Sequence, residues 1–217
     1  MRQTTKRGGN VTEVKDIFGT GCKVLDKRDG VVEAIVSVTG IDDQVDDRIR
    51  PGAYAKTLSI RKPKGIRAHD WDRPATKTLA IDELQPGSPD LPSRTARGEK
   101  WPRAAGALKV LMQYNLETKD GSEGFSNVNF YGPEQEWSIG YHVPRGGSKM
   151  VKGIRELEHL ELYEYSDVLW GAAPLTGTSS IKALGGLVVA GRLWTPDGAE
   201  PLPGSWEERK DAVARAV

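Results

Sequence analysis

Apolar residues in this 217-residue chain come in short, β-rich runs, one after another, with no regular crossover helix between them. That order favours an antiparallel sheet or barrel over a doubly wound parallel fold. Residues 31–38 (VVEAIVSV) are β-branched and apolar and read as a strand. Residues 66–69, 76–84, 108–116, 136–143 and 155–169 are further strand candidates, the last long enough to bend or break, and 185–194 reads as a final strand. Short helices are expected over 53–61, 120–131 and 205–217, the last with Ser205 as N-cap and Glu207 and Glu208 in its first turn. Between them, residues 85–103 hold Pro86, Pro89, Pro92 and Pro102 with Gly87 and Gly98 and show no period. Loops of that length are usually functional or disordered. The fold class expected is α+β and β-dominated. It divides into a polar lead-in (1–30), a central domain (31–184) and a strand/helix tail (185–217).

Composition narrows the function. Thirty-one Lys and Arg oppose thirty Asp and Glu, a formal charge of +1, so no global basic excess points to nucleic acid or an anionic membrane. The single cysteine, Cys22, excludes an internal disulfide framework and a multi-cysteine zinc site. No run approaches the ~18 apolar residues of a membrane span. The basic start (MRQTTKR) lacks the apolar stretch of a secretory signal, so a soluble protein of a reducing compartment is expected. The cluster Asp42, Asp43, Asp46 and Asp47 lacks the alternating ligand spacing of a calcium loop and reads as a solvated turn.

Three segments carry residues fit for catalysis. In 136–142 (EWSIGYH), strand alternation puts Trp137, Ile139 and Tyr141 on one face and Ser138, Gly140 and His142 on the other. Ser138 then points away from the core, with a glycine leaving space above the sheet. Such a serine is a nucleophile if a base reaches it. In 66–74 (IRAHDWDRP), His69 ends a short strand before a polar turn, and a reference pKa of about 6.5 suits a general base. In 157–166 (LEHLELYEYS), Leu160 and Leu162 share a core face while His159, Glu161 and Tyr163 share the other. Alternation assigns Glu164 to the Leu160 and Leu162 face unless the strand bends.

Four stretches in order resemble the caudovirus prohead serine proteases, the capsid maturation proteases of tailed phages. They are 42–58 (DDQVDDRIRPGAYAKTL), 66–74, 137–141 (WSIGY) and 160–174 (LELYEYSDVLWGAAP), and the match spans roughly 31–184. The family's closing strand usually runs into Pro-Ala-Asn, where this chain has Gly171-Ala172-Ala173-Pro174. The resemblance implies a fold related to herpesvirus assemblins, a mainly antiparallel β-barrel wrapped by a few short helices. It implies a triad of Ser138, His69 and a third member, His159, with Glu161 the rival on the same face and Glu164 the rival by motif position. It puts oxyanion-binding backbone N–H groups near Asp167 and Val168. The implied activity is a serine endopeptidase that cleaves scaffold protein, or the scaffolding segment of the major capsid protein, and itself, inside the assembling procapsid in the host cytoplasm. Dimerisation is a further implication; no cofactor, membrane or direct nucleic-acid binding is implied.

Two rivals compete with that reading. A non-catalytic capsid assembly or scaffold protein with a protease-like fold would leave Ser138 and His69 out of hydrogen-bond reach. A metal-dependent hydrolase built on His69, Asp70 and Asp72 with His142 or His159 would be inactivated by a chelator.

Overall fold

The computed structural model describes residues 23–24, 29–43, 46–95, 98–171, 175–182, 187–189, 192–195 and 198–201. In chain order the elements are β1 (Lys23–Val24), β2 (Val31–Thr39), β3 (Asp47–Ile49), α1 (Ala55–Ile60), β4 (Lys64–Arg67), β5 (Asp70–Leu84), β6 (Gly106–Tyr114) and α2 (Lys119–Tyr131). After a 3-10 turn (Gly132–Glu134) come β7 (Glu136–His142), β8 (Ser148–Val151), β9 (Ile154–Leu157), β10 (Glu161–Val168) and β11 (Gly177–Lys182). The last strands are β12 (Leu187–Val189), β13 (Arg192–Thr195) and β14 (Gly198–Pro201).

Eight strands form one sheet in the order β1-β11-β2-β6-β5-β4-β10-β7. Every neighbouring pair is antiparallel except β1 with β11 and β4 with β10. The sheet curls, so that Val32, Ala34 and Val36 of β2 share one core with Trp137 of β7, Leu162 and Tyr165 of β10 and Val128 of α2. The fold is thus β-rich α+β, as expected. The barrel is a half-barrel, because the strand order has two ends. Three further strands, β3, β9 and β8, form a small separate sheet, as do β12, β13 and β14.

Strand β2 is buried along its whole length because both its faces are covered. Ile35 and Val38 meet Trp101, Ala105 and Ala107 on the side away from the main core. The aperiodic segment 85–103 is therefore tied to the core through Trp101, with Leu91 packed beside it. Trp101, its apolar anchor, donates its indole N–H to the Ala105 carbonyl at 3.0 Å.

Three expected boundaries change. Strand β5 starts at Asp70, which shortens the β4–β5 turn to Ala68 and His69. The candidate strand 155–169 breaks at 158–160 into β9 and β10, which belong to different sheets. The candidate strand 185–194 divides into β12 and β13. The helix expected over 205–217, and most of the lead-in, lie outside the described residues.

Candidate active site

Strand β10 organises the site because it pairs with β4 on one edge and β7 on the other. Its register with β7 sets Tyr165 against Ile139 and Ser166 against Ser138, but shifts between Leu162 and Glu164. Tyr163 is the extra residue, and a bulge of this kind moves all later side chains to the opposite face. Leu162 and Tyr165 thus both enter the core, while Glu164 and Ser166 join Ser138 and Gly140 on the other face. The bulged Tyr163 is held by neighbours: its ring lies 4.2 Å from the Arg61 guanidinium and edge-on to Trp71 at 6.2 Å.

His69 reaches the same face from the β4–β5 turn. Both central residues of this two-residue hairpin have positive φ, 50° for Ala68 and 60° for His69. Such turns favour Asn-Gly or Gly-Gly, because a Cβ strains that region. The turn holds because β10 fixes it. Ala68 donates its backbone N–H to the Asp167 carbonyl at 3.2 Å, and His69 donates its own to Ser166 Oγ at 3.1 Å.

The His69 ring Nδ1 lies 2.6 Å from Glu164 Oε1. Ser166 Oγ donates to the other carboxylate oxygen, Oε2, at 2.7 Å. One serine therefore ties the imidazole's backbone to the carboxylate that holds its ring. Glu164 is 1% exposed. Its hydrogen bond raises the His69 pKa above the ordinary histidine value, against an opposing effect of partial burial. With Nδ1 committed to Glu164, Nε2 is the ring nitrogen left to exchange protons.

Ser138 stands opposite Ser166 in the β7–β10 register. Cβ atoms of directly opposed residues lie about 4.5–5.5 Å apart, so its hydroxyl neighbours the His69–Glu164–Ser166 cluster. Among the described residues Ser138 Oγ makes no hydrogen bond, to His69 or to any other group. Catalytic hydrogen bonds are often long without substrate and tighten in the complex.

The other candidates for the third member are elsewhere. His159 lies in the break between β9 and β10, where its backbone N–H donates to the Gly147 carbonyl at 3.1 Å. Glu161 pairs with His142 ahead of the bulge, and accepts from the Tyr163 hydroxyl at 3.1 Å. The ring partner of His69 is thus Glu164, brought across by a bulge that strict alternation does not contain. Asp70 caps its own turn, accepting from the Asp72 N–H at 3.0 Å.

Asp167 and Val168, where oxyanion donors were expected, lie inside β10, and Asp167 is paired on both edges. The Asp167 carboxylate faces Arg67 at 3.3 Å, and burial pushes its pKa up to about 6 despite that guanidinium. Leu169 and Trp170 follow, outside the ladder and exposed. With Tyr131, Pro133, Glu136 and Val168 they border a cleft of about 410 Å³. Glu136 and Val168 are register partners two residues from the Ser138–Ser166 pair and share its face, so the cleft adjoins Ser138 along the strand.

Alternation and the resemblance point to Ser138, His69, the space above Gly140 and, as a rival third member, Glu164, but not to Ser166 as a clamp or to the strained Ala68. A serine two residues after Glu164 on one strand face was the available signal for the first. Comparison of the chain with protein-family models, curated proteins and solved structures finds no match to any of them.

Proposed function

We propose that the chain is a serine endopeptidase of the prohead maturation type, with Ser138 as nucleophile, His69 as general base and Glu164 as the residue that orients it. The observation that carries this reading is the 2.6 Å contact between His69 Nδ1 and a fully buried Glu164, set on the strand directly paired to that of Ser138. Ser138 Oγ attacks the scissile carbonyl as His69 Nε2 takes its proton, and the imidazolium returns the proton to the leaving amine. A buried carboxylate stabilises that imidazolium strongly, because little water screens it. The curled β-rich sheet with short helices is in keeping with an assemblin-like fold. The cleft bordered by Leu169 and Trp170 offers room for a substrate side chain beside the nucleophile. By resemblance, the substrates are the scaffold protein or the scaffolding segment of the major capsid protein, and the protease itself, within the procapsid in the host cytoplasm.

Intact-mass analysis tests this, with wild type and Ser138→Ala each expressed alone and with the major capsid protein of the same virus. Wild type is expected to trim itself or the capsid protein, insensitive to chelators, and Ser138→Ala to leave both whole. If wild type leaves both whole at high concentration, the endopeptidase reading fails.

A further inference from the structure

We infer that a second cleft, on the α1 side of the molecule, binds acidic peptide segments through their carboxylates. This inference does not depend on the endopeptidase reading. The cleft lies between α1, the turn before β8 and the start of β10, and measures about 410 Å³. That is more than ten times the ~30 Å³ share of one water molecule, so it fits a stretch of chain better than a lone ion.

Its charge is one-sided. Lys56, Arg61 and Arg145 line it together with His159. Among the described residues none of those three cations has an ion-pair partner. By contrast, Arg48 and Arg155 of the β3–β9 pair are held by Asp42 and Asp47. The cleft's one carboxylate, Glu161, already accepts from the Tyr163 hydroxyl.

Arg61 is the anchor. Its guanidinium is fixed over the Tyr163 ring, yet its Nη1 is buried with no hydrogen-bond partner among the described residues. A buried guanidinium nitrogen without an acceptor is unfavourable. That nitrogen is closed to ligands, so Arg61 serves as a guanidinium lining the cleft, whose shape a planar carboxylate matches. Beside the cations stand apolar groups, Leu160 and an Ile60 that is 75% exposed. Cations next to an exposed aliphatic side chain match an acidic segment with interleaved apolar residues better than a bare phosphate.

Fluorescence anisotropy tests this, using full-length Ser138→Ala protein so that no probe is cleaved. The probes are fluorescein-labelled peptides of Glu-Glu-Leu repeats and their Gln-Gln-Leu counterparts. The acidic peptide is expected to bind at least about tenfold tighter than the amide one, and to weaken as salt rises. The double variant Lys56→Glu/Arg145→Glu alters only side chains on the cleft surface and is expected to weaken binding by about tenfold or more with an unchanged melting temperature. Arg61→Gln is expected to weaken binding to a similar extent and also to lower the melting temperature, since Arg61 packs on the Tyr163 ring as well. Equal binding of the two peptides, no binding, or no effect of the double variant overturns the inference. So does displacement of the peptide by inorganic phosphate where sodium chloride of equal ionic strength has no effect, since phosphate is then the ligand.

Discussion

A Cβ on Gly140 would lie 2.1 Å from Glu164 Oε1, closer than real Cβ atoms come to any neighbour. The missing side chain at 140 is therefore what lets the Glu164 carboxylate lie across β7 and reach His69. Gly140→Ala must push that carboxylate away and break the ring contact. The rate of self-cleavage is expected to fall on the order of 10²-fold or more, as misplaced catalytic groups do. Stability is expected to drop by only about 1–3 kcal/mol, the usual cost of overpacking. Urea titration beside the cleavage assay checks both, and an active Gly140→Ala protein would mean that Glu164 does not orient His69.

The identity of the orienting residue is tested by contrast. Glu164→Gln keeps the shape of the side chain but removes its charge and reverses the hydrogen bond it offers to Nδ1. A change of that kind in a serine protease triad costs about 10⁴ in rate by selecting the wrong histidine tautomer, and a loss on that order is expected here. His159→Gln, in the β9–β10 break and bound to Gly147 through its backbone, is expected to cleave at close to the wild-type rate. The reverse result would restore His159 as the third member.

The difference between those two residues shows what the sequence carries and what it does not. Strand β7 was legible because a two-residue period needs no partner: Trp137 is buried and Ser138 faces away, as alternation requires. Glu164 stood out only as the rival by motif position and not by alternation, because a bulge depends on the register with the paired strand, and alternation from Leu160 and Leu162 sends residue 164 into the core. His159 lies in the break between β9 and β10, where strand alternation does not hold. The half-barrel also needs β11, whose sequence GTSSIK holds one apolar residue and no pattern. In 85–103, single anchors such as Trp101 bury without any period to betray them.

The β4–β5 turn sets stability against function. Ala68, at φ 50°, occupies a region where a Cβ costs about 1–2 kcal/mol. Glycine removes that strain but adds freedom to the unfolded chain, worth about 0.4–1 kcal/mol. Ala68→Gly is therefore expected to stabilise the protein by about 0.5–1 kcal/mol, raising Tm by a few degrees (~2–4 °C per kcal/mol in a chain of this size). Cleavage is expected to slow severalfold, since a looser turn holds the His69 ring less firmly. Calorimetry and a cleavage assay on one preparation read both, and a loss of stability would show that the turn is not strained at this position.

Acidity is expected to move activity and stability in opposite directions across one pH window. Glu164 raises the His69 pKa, so His69 becomes the neutral base only above the ordinary histidine value of about 6.5. The acid limb of kcat/KM is then expected to lie above that value, and to move down towards it in what activity Glu164→Gln retains. The same pair favours the folded state when His69 is charged. Its contribution is complete below the unfolded pKa and is lost as pH rises through the folded one. Asp167 adds a lower window. Its folded pKa of about 6 exceeds the roughly 3.9 of an unfolded aspartate, so its proton favours folding, and stability falls as pH rises between those values. Chemical denaturation at a series of pH values separates the two, because His69→Gln should abolish the upper decline and leave the lower one. An acid limb at or below about 6.5 in wild type would mean that the Glu164 contact does not govern the proton on His69.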